Sequence, residues 1–494
     1  MRSSARWLLL LVPGLLFFYT FSGAPPEAAA APRGGGGSIC KKCPPDAGTP
    51  DAGTGTPDAG TGGPDAGTGS DAGTPDAGTG TPDAGTGTPD AGTGTPDAGT
   101  PPPTSCLGQP LLESLGKDHV LVGGQTDSAV AGLAPFDLRY IYLAGGLFDS
   151  VEPCNSCSSS CSAAGQSCSN WNPNGCGWWG CWQWDQLPPG QYLRDYFQQT
   201  IDLGQIPMIT YYQMLHTSRV AEGAQEVAAA QTVSLMQRYY NDWRFVLKQI
   251  GTSTALLHIE PDFWAYAQQV NTNPHMIPAA VASANPTDCA NVENTIAGMG
   301  RCMISMVRKY APNAKVGLHA SAWATKIDAM MNTNPALDVE AEARKVADFL
   351  SECGGAAGDF VVVETSDRDA QYYQVRLGRN SWWDNTNTTL PHFRQAFRFA
   401  KALSERMGRP NLWWQIPVGN MSMLGYDQHW KDNRLDYFFD HPQEVAAAHG
   451  IGMIFGAGEQ AQTNPSTDNG HLLLRTNNYF LTGGQPACLN ASMP

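Results

Sequence analysis

The sequence predicts an α/β protein built on a closed (β/α)8 barrel of the TIM type. Three observations predict it. After residue 104, short apolar runs alternate with longer helical patterns, as strand–helix units of a parallel sheet require. Eight such runs occur before residue 494, the number that closes a barrel with enlarged loops. No G-x-G-x-x-G follows any of them and no Walker-type loop is present, which argues against an open nucleotide-binding sheet.

Residues 1–31 are expected to be a secretory signal. Arg2 and Arg6 precede an apolar run from Trp7 to Phe21, and the small residues Ala28 to Ala31 offer a cleavage site. An uncleaved anchor is the alternative, but Pro13 and Gly14 interrupt the run. Residues 32–103 are expected to be a disordered linker, because 44–103 repeats Pro-Asp-Ala-Gly-Thr and carries no large apolar residue. Its aspartates supply much of the net charge of −15, and no basic residue lies among them. It reads as a spacer that holds a folded module away from a cell envelope.

The module spans residues 104–494. Its candidate strands are 119–122, 139–143, 207–212, 255–260, 315–319, 360–364, 412–416 and 452–455. Candidate helices are 191–203, 222–250, 291–310, 339–352, 391–407 and 442–449. One insertion, 154–184, packs six cysteines and five tryptophans among Ser, Asn and Gly. A segment so polar cannot build its own core, so three disulfides are expected to staple it. Placed after the second strand, it belongs to the C-terminal rim, where Trp179 and its neighbours could form platforms for sugar rings. The 13 cysteines agree with an oxidising compartment, and their odd number leaves one without an intrachain partner.

No Lys/Arg cluster interleaved with aromatics exists, so nucleic acid is excluded as a partner. No G-x-S-x-G elbow supports serine chemistry, and no H-x-H or H-x-x-x-H pair supports a metal centre. No metal and no cofactor is therefore expected, although His258, Glu260 and His319 are a conceivable ligand set. What remains is acid chemistry. The run from Ala255 to Trp264 ends its strand at Glu260, with Pro261 stopping the ladder and Asp262 in the loop beyond. The run 360–364 ends in the same way at Glu364. Barrel active sites lie at the C-terminal ends of strands, and glycoside hydrolysis uses a pair of acids facing each other.

Glu260 and Glu364 are accordingly expected to be the catalytic pair. Asp262, which could be the acid while Glu260 orients it, is placed in the substrate site with His258, Tyr211, Trp323, Trp413, Gln415, Trp179 and Glu459. Asp127 and Asp367 are held in reserve, Asp185 and Asp369 read as solvated charges, and Asn420 is a further amide for sugar hydroxyls. Alternation puts Trp413 and Gln415 on one face of the seventh strand.

With these residues in view, 104–494 resembles a secreted (β/α)8-barrel glycoside hydrolase. The retaining β-glycosidase clan carries Asn-Glu-Pro at its fourth strand, and Ile259-Glu260-Pro261 matches the Glu-Pro part. That clan ends its seventh strand in a nucleophilic Glu, where this chain has Trp413, Trp414 and Gln415. The resemblance is one of architecture and acid placement and implies a reaction class, with no family assigned. The expectation is a secreted or surface-tethered monomer that cleaves a polysaccharide. Its rivals are a non-catalytic carbohydrate-binding or envelope protein and a metal-dependent hydrolase.

Overall fold

The computed structural model describes residues 106–145, 147, 189–458 and 461–487, together with the backbone of 162–163 and 166–167. The expected signal, the repeat linker, nearly all of the Cys/Trp insertion (including Trp179 and Asp185) and Glu459 lie outside the described residues.

Eight parallel strands close a barrel: β1 (Leu121–Gly124), β2 (Leu138–Ala144), β3 (Ile206–Tyr212), β4 (Leu256–Ile259), β5 (Lys315–Ala320), β6 (Phe360–Glu364), β7 (Asn411–Ile416) and β8 (Gly450–Phe455). Each pairs with its neighbours in sequence, and β8 returns to β1 through Leu121 opposite Gly452. The strands are buried on both faces, as a parallel sheet clad in helices must be. A separate two-stranded antiparallel ribbon joins Ser162–Ala163 to Gln166–Ser167.

The helices form from amphipathic stretches. In Phe393–Met407, the residues Phe393, Phe397, Ala400, Leu403 and Met407 recur at helical spacing and are buried against the barrel. That helix ends at Gly408, whose φ of 65° suits a residue without a Cβ. The expected helix 222–250 is two helices, Ala224–Ala229 and Val233–Ile250, in the described structure. One apolar core runs through the barrel and the layer between strands and helices.

Cys289, at the end of the short Pro286–Cys289 helix, and Cys302, midway along the Ile296–Tyr310 helix, form a disulfide, and Cys106 is also disulfide-bonded. Among the described cysteines the free thiol is Cys353, which is buried. At the N-terminal end of β2, Asp137 accepts from Lys117 Nζ (2.5 Å) and the Val122 amide (3.0 Å), and pairs with His119 Nε2. It thereby ties the segment before β1 to β2.

Candidate active site

Side chains of β2 to β7 converge on the C-terminal mouth, and strand parity decides who arrives. On β3, Thr210 faces the interior and Tyr211 faces the helices. Thr210 Oγ1 lies 3.2 Å from His258 Nδ1, whereas the Tyr211 hydroxyl donates to Asp242 at 2.8 Å and its ring packs on Trp243. The expectation that Tyr211 meets substrate is therefore corrected. The next residue, Tyr212, is half-buried with its ring edge-on to His216 and within the field of Asp262.

His258 is also corrected. It lies fully buried in the interior layer below the mouth, its Nε2 3.0 Å from His319 Nδ1. Trp414 covers both imidazoles, with ring centroids 4.6 Å from His258 and 5.7 Å from His319. Burial drives the His258 pKa well down and pushes His319 to about 3, so both rings are neutral.

Glu260 should follow His258 into the barrel by alternation, and it does not. Its φ is 50°, a left-handed value that turns the side chain into the layer between barrel and helices. There its Oε1 accepts from the Gln213 amide (3.0 Å), the Met214 amide (3.2 Å) and the Tyr239 hydroxyl (2.8 Å). The carboxyl is completely buried, and burial lifts its pKa to about 7 against those three hydrogen bonds. The pairing of Glu260 with Glu364 across the mouth is thus replaced by a different pair.

Asp262 takes the place at the mouth. Pro261, Asp262 and Phe263 form a γ-turn, with the Phe263 amide bonded to the Pro261 carbonyl at 2.7 Å and Asp262 at φ 65°, ψ −37°. The Trp264 indole donates to the Ile259 carbonyl at 3.0 Å and closes the loop. One carboxylate oxygen of Asp262, one ring nitrogen of His319 and one carboxylate oxygen of Glu364 all lie within 4.8 Å of one another. Burial, with the charges of Glu222 and Asp367, pushes the Asp262 carboxyl up to about 8. Burial, with the charges of Asp262 and Asp367, drives Glu364 well above the usual carboxylate range. Like charges this close share a proton.

Glu364 ends β6 on the inward face, as alternation predicts, and its Oε1 accepts from Gln415 Nε2 at 2.8 Å. Gln415 reaches it against its own parity. Between Met453 and Phe455 on β8 there are two steps, but the partners Trp413 and Ile416 on β7 are three apart, so β7 carries one extra residue. That residue is Gln415, at φ 54°, and the bulge turns its amide inward, where Tyr142 donates to its Oε1. Trp413 stays outside. It is buried against Phe397 and Phe438 of the helices, so its assignment to the substrate site is corrected.

Trp323 sits half-buried beside Tyr266, with ring centroids 4.8 Å apart, and Tyr266 lies within the field of Glu222, Asp262 and Glu226. Tyr266 also hydrogen-bonds Glu222. The half-buried Asp367 accepts from Tyr373 and Arg368. Behind Asp262, Glu226 is buried with its Oε1 lacking a partner, and burial raises its pKa well above normal. Three readings change at the periphery. Asp369 is buried, accepting from the Thr463 and Gly419 amides. Asp127 caps a helix through the Val130 amide at 2.8 Å. Asn420 is buried and donates to the Asp468 carbonyl. Tyr142, Tyr239 and Tyr266 are absent from the sequence reading, and Trp414 is named there without a role. Only Tyr142 carried a signal, being two residues from Tyr140 at the tip of β2.

No family model matches the chain, and no curated protein matches it. Solved structures do. A GH5 xyloglucan-specific β-1,4-glucanase from a ruminal metagenomic library is 10% identical, covers 75% of this chain and 90% of its own, and scores a TM of 0.37. A GH5 family lichenase from Caldicellulosiruptor sp. F32 is 8% identical over 76% of this chain and 96% of its own, with a TM-score of 0.40. An endo-β-1,4-mannanase of Cellulomonas fimi is 10% identical over 76% and 74%, with a TM-score of 0.41. At these identities and scores the activity of none of them transfers to this chain.

Proposed function

We propose that the protein is a secreted or surface-tethered glycoside hydrolase that cleaves a polysaccharide with Asp262 and Glu364. The observation that carries this is the approach of the two carboxyls, from the tips of β4 and β6, to within 4.8 Å beside a neutral histidine. Glycoside hydrolysis needs one acid to protonate the leaving oxygen and a second to attack or to activate water.

The surroundings raise the pKa of both carboxyls. Burial and the charges of Asp262 and Asp367 raise Glu364 against the Gln415 amide and Arg368, which favour its charged form. Asp262 accepts no hydrogen bond among the described residues and faces the charges of Glu222 and Asp367, which favour its protonated form. One member of the pair is then the proton donor and the other the nucleophile. Glu260 is a positioning residue: its three hydrogen bonds fix the strained turn that projects Asp262. Trp323 and Tyr266 offer an apolar plate for a pyranose ring.

A spacing under 4.8 Å lies on the retaining side of the known carboxylate separations, about 5 Å for retention and about 6.5–9.5 Å for inversion. The test is reducing-end release over a polysaccharide panel, with the anomeric form of the first product followed by NMR. Release with a retained anomeric centre is expected. Inversion would hand the second role to a more distant base such as Asp367, and absence of release from every glycan that binds would leave a carbohydrate-binding protein.

A further inference from the structure

We propose that Asp262, His319 and Glu364 form a divalent-cation site suited to zinc, and that its occupancy silences the acid pair. The expected ligand set of His258, Glu260 and His319 is not assembled: His258 is spent on His319 and Thr210, and Glu260 on Tyr239 and two amides. The new set comes from the loop after β4, from β5 and from β6, with its three donor atoms within 4.8 Å of one another.

The independent observation is His319. Its ring is 1% exposed, and Nε2 has no hydrogen-bond partner, lying 3.9 Å from the nearest Glu364 oxygen. A buried polar atom left unpaired costs about 1–3 kcal/mol, so a group aimed this way implies a partner. The other nitrogen is held. With His319 Nδ1–H donating to His258 Nε2 at 3.0 Å, and His258 Nδ1–H donating to Thr210 Oγ1 at 3.2 Å, the lone pair of His319 Nε2 faces the two carboxylates. Metal-bound histidines are oriented through their far nitrogen in this way, and Gln415 orients Glu364 as a second such support. One imidazole and two carboxylates suit zinc, whereas calcium and magnesium prefer oxygen alone.

A carboxylate that ligates a cation cannot also carry the proton for a leaving group, so occupancy and acid catalysis exclude each other. The inhibitory half rests on the hydrolase reading; the binding half does not. The experiment is titration of the chelator-stripped full chain with zinc by calorimetry, with cobalt absorption as a second signal and polysaccharide cleavage measured in parallel. One zinc per chain is expected. Affinity should fall at least tenfold in His319→Gln and in Glu364→Gln, each checked for folding by its melting curve, and about 10–100-fold in His258→Gln through lost orientation. Cleavage should fall in step with occupancy and return on chelation. Absence of binding by the folded wild type, or undiminished binding by both folded ligand variants, would overturn the site. Zinc bound to a protein that cleaves no glycan would support the site and sink the hydrolase reading, whereas cleavage that rises with zinc would overturn the silencing.

Discussion

Two acids on either side of Pro261 sit in opposite surroundings. Glu260 is spent on the Gln213 and Met214 amides and on Tyr239, while Asp262 stands at the mouth among like charges. The substitutions should therefore differ in kind. Glu260→Gln places an amide among three donors, so its melting point should drop by the equivalent of about 1–3 kcal/mol. Asp262→Asn puts a neutral amide where the site already favours the neutral acid, so thermal unfolding should show stability equal to wild type or higher. Tyr239→Phe takes one donor from the buried Glu260 carboxyl and leaves Asp262 untouched, so it should resemble Glu260→Gln in a smaller form. Calorimetric melts of the three variants check the ordering. A destabilised Asp262→Asn beside an unaffected Glu260→Gln would reverse the assignment.

At the scale of the element, the strands and the inward Glu364 were legible because alternation and apolar run length are local properties. The eight runs named from sequence are the eight strands found. Two positions defeated alternation, Glu260 at φ 50° and Gln415 at φ 54°, since a left-handed residue at a strand tip re-aims its side chain. The first carried an expected catalyst out of the mouth, and the second carried an amide into it. Neither backbone value is written in residue types, because Glu and Gln adopt it only when tertiary contacts hold them there.

The opposite end of the barrel serves stability instead. Its hydrogen bond with Asp137 raises the His119 pKa; Asp137 itself is pushed up by burial but held lower overall by His119 and Lys117. The His119 contribution is present below its ordinary 6.5 and is lost as pH rises through the raised value. The Asp137 contribution is present above 3.8 and is lost as pH falls through the depressed value. Stability from this junction should thus be greatest between about pH 4 and 6.5. Asp137→Asn should flatten both flanks in denaturant melts taken across pH.

For the whole molecule, the barrel separates tryptophans that hold the fold from those that can meet a ligand. Trp413, packed between β7 and the helices, should cost about 3–5 kcal/mol as Trp413→Ala, with kcat per folded molecule unchanged. Trp323 packs on Tyr266, which lies in the field of Asp262, and Trp323→Ala should raise KM from a few-fold to about tenfold with little effect on melting. The most direct test of the acid pair is the initial rate of reducing-end release by Asp262→Asn against wild type, on whichever glycan the wild type cleaves. A fall in kcat of about 10²–10⁴, with folding intact, is the expected result. A variant that keeps the wild-type rate would contradict the account at its centre.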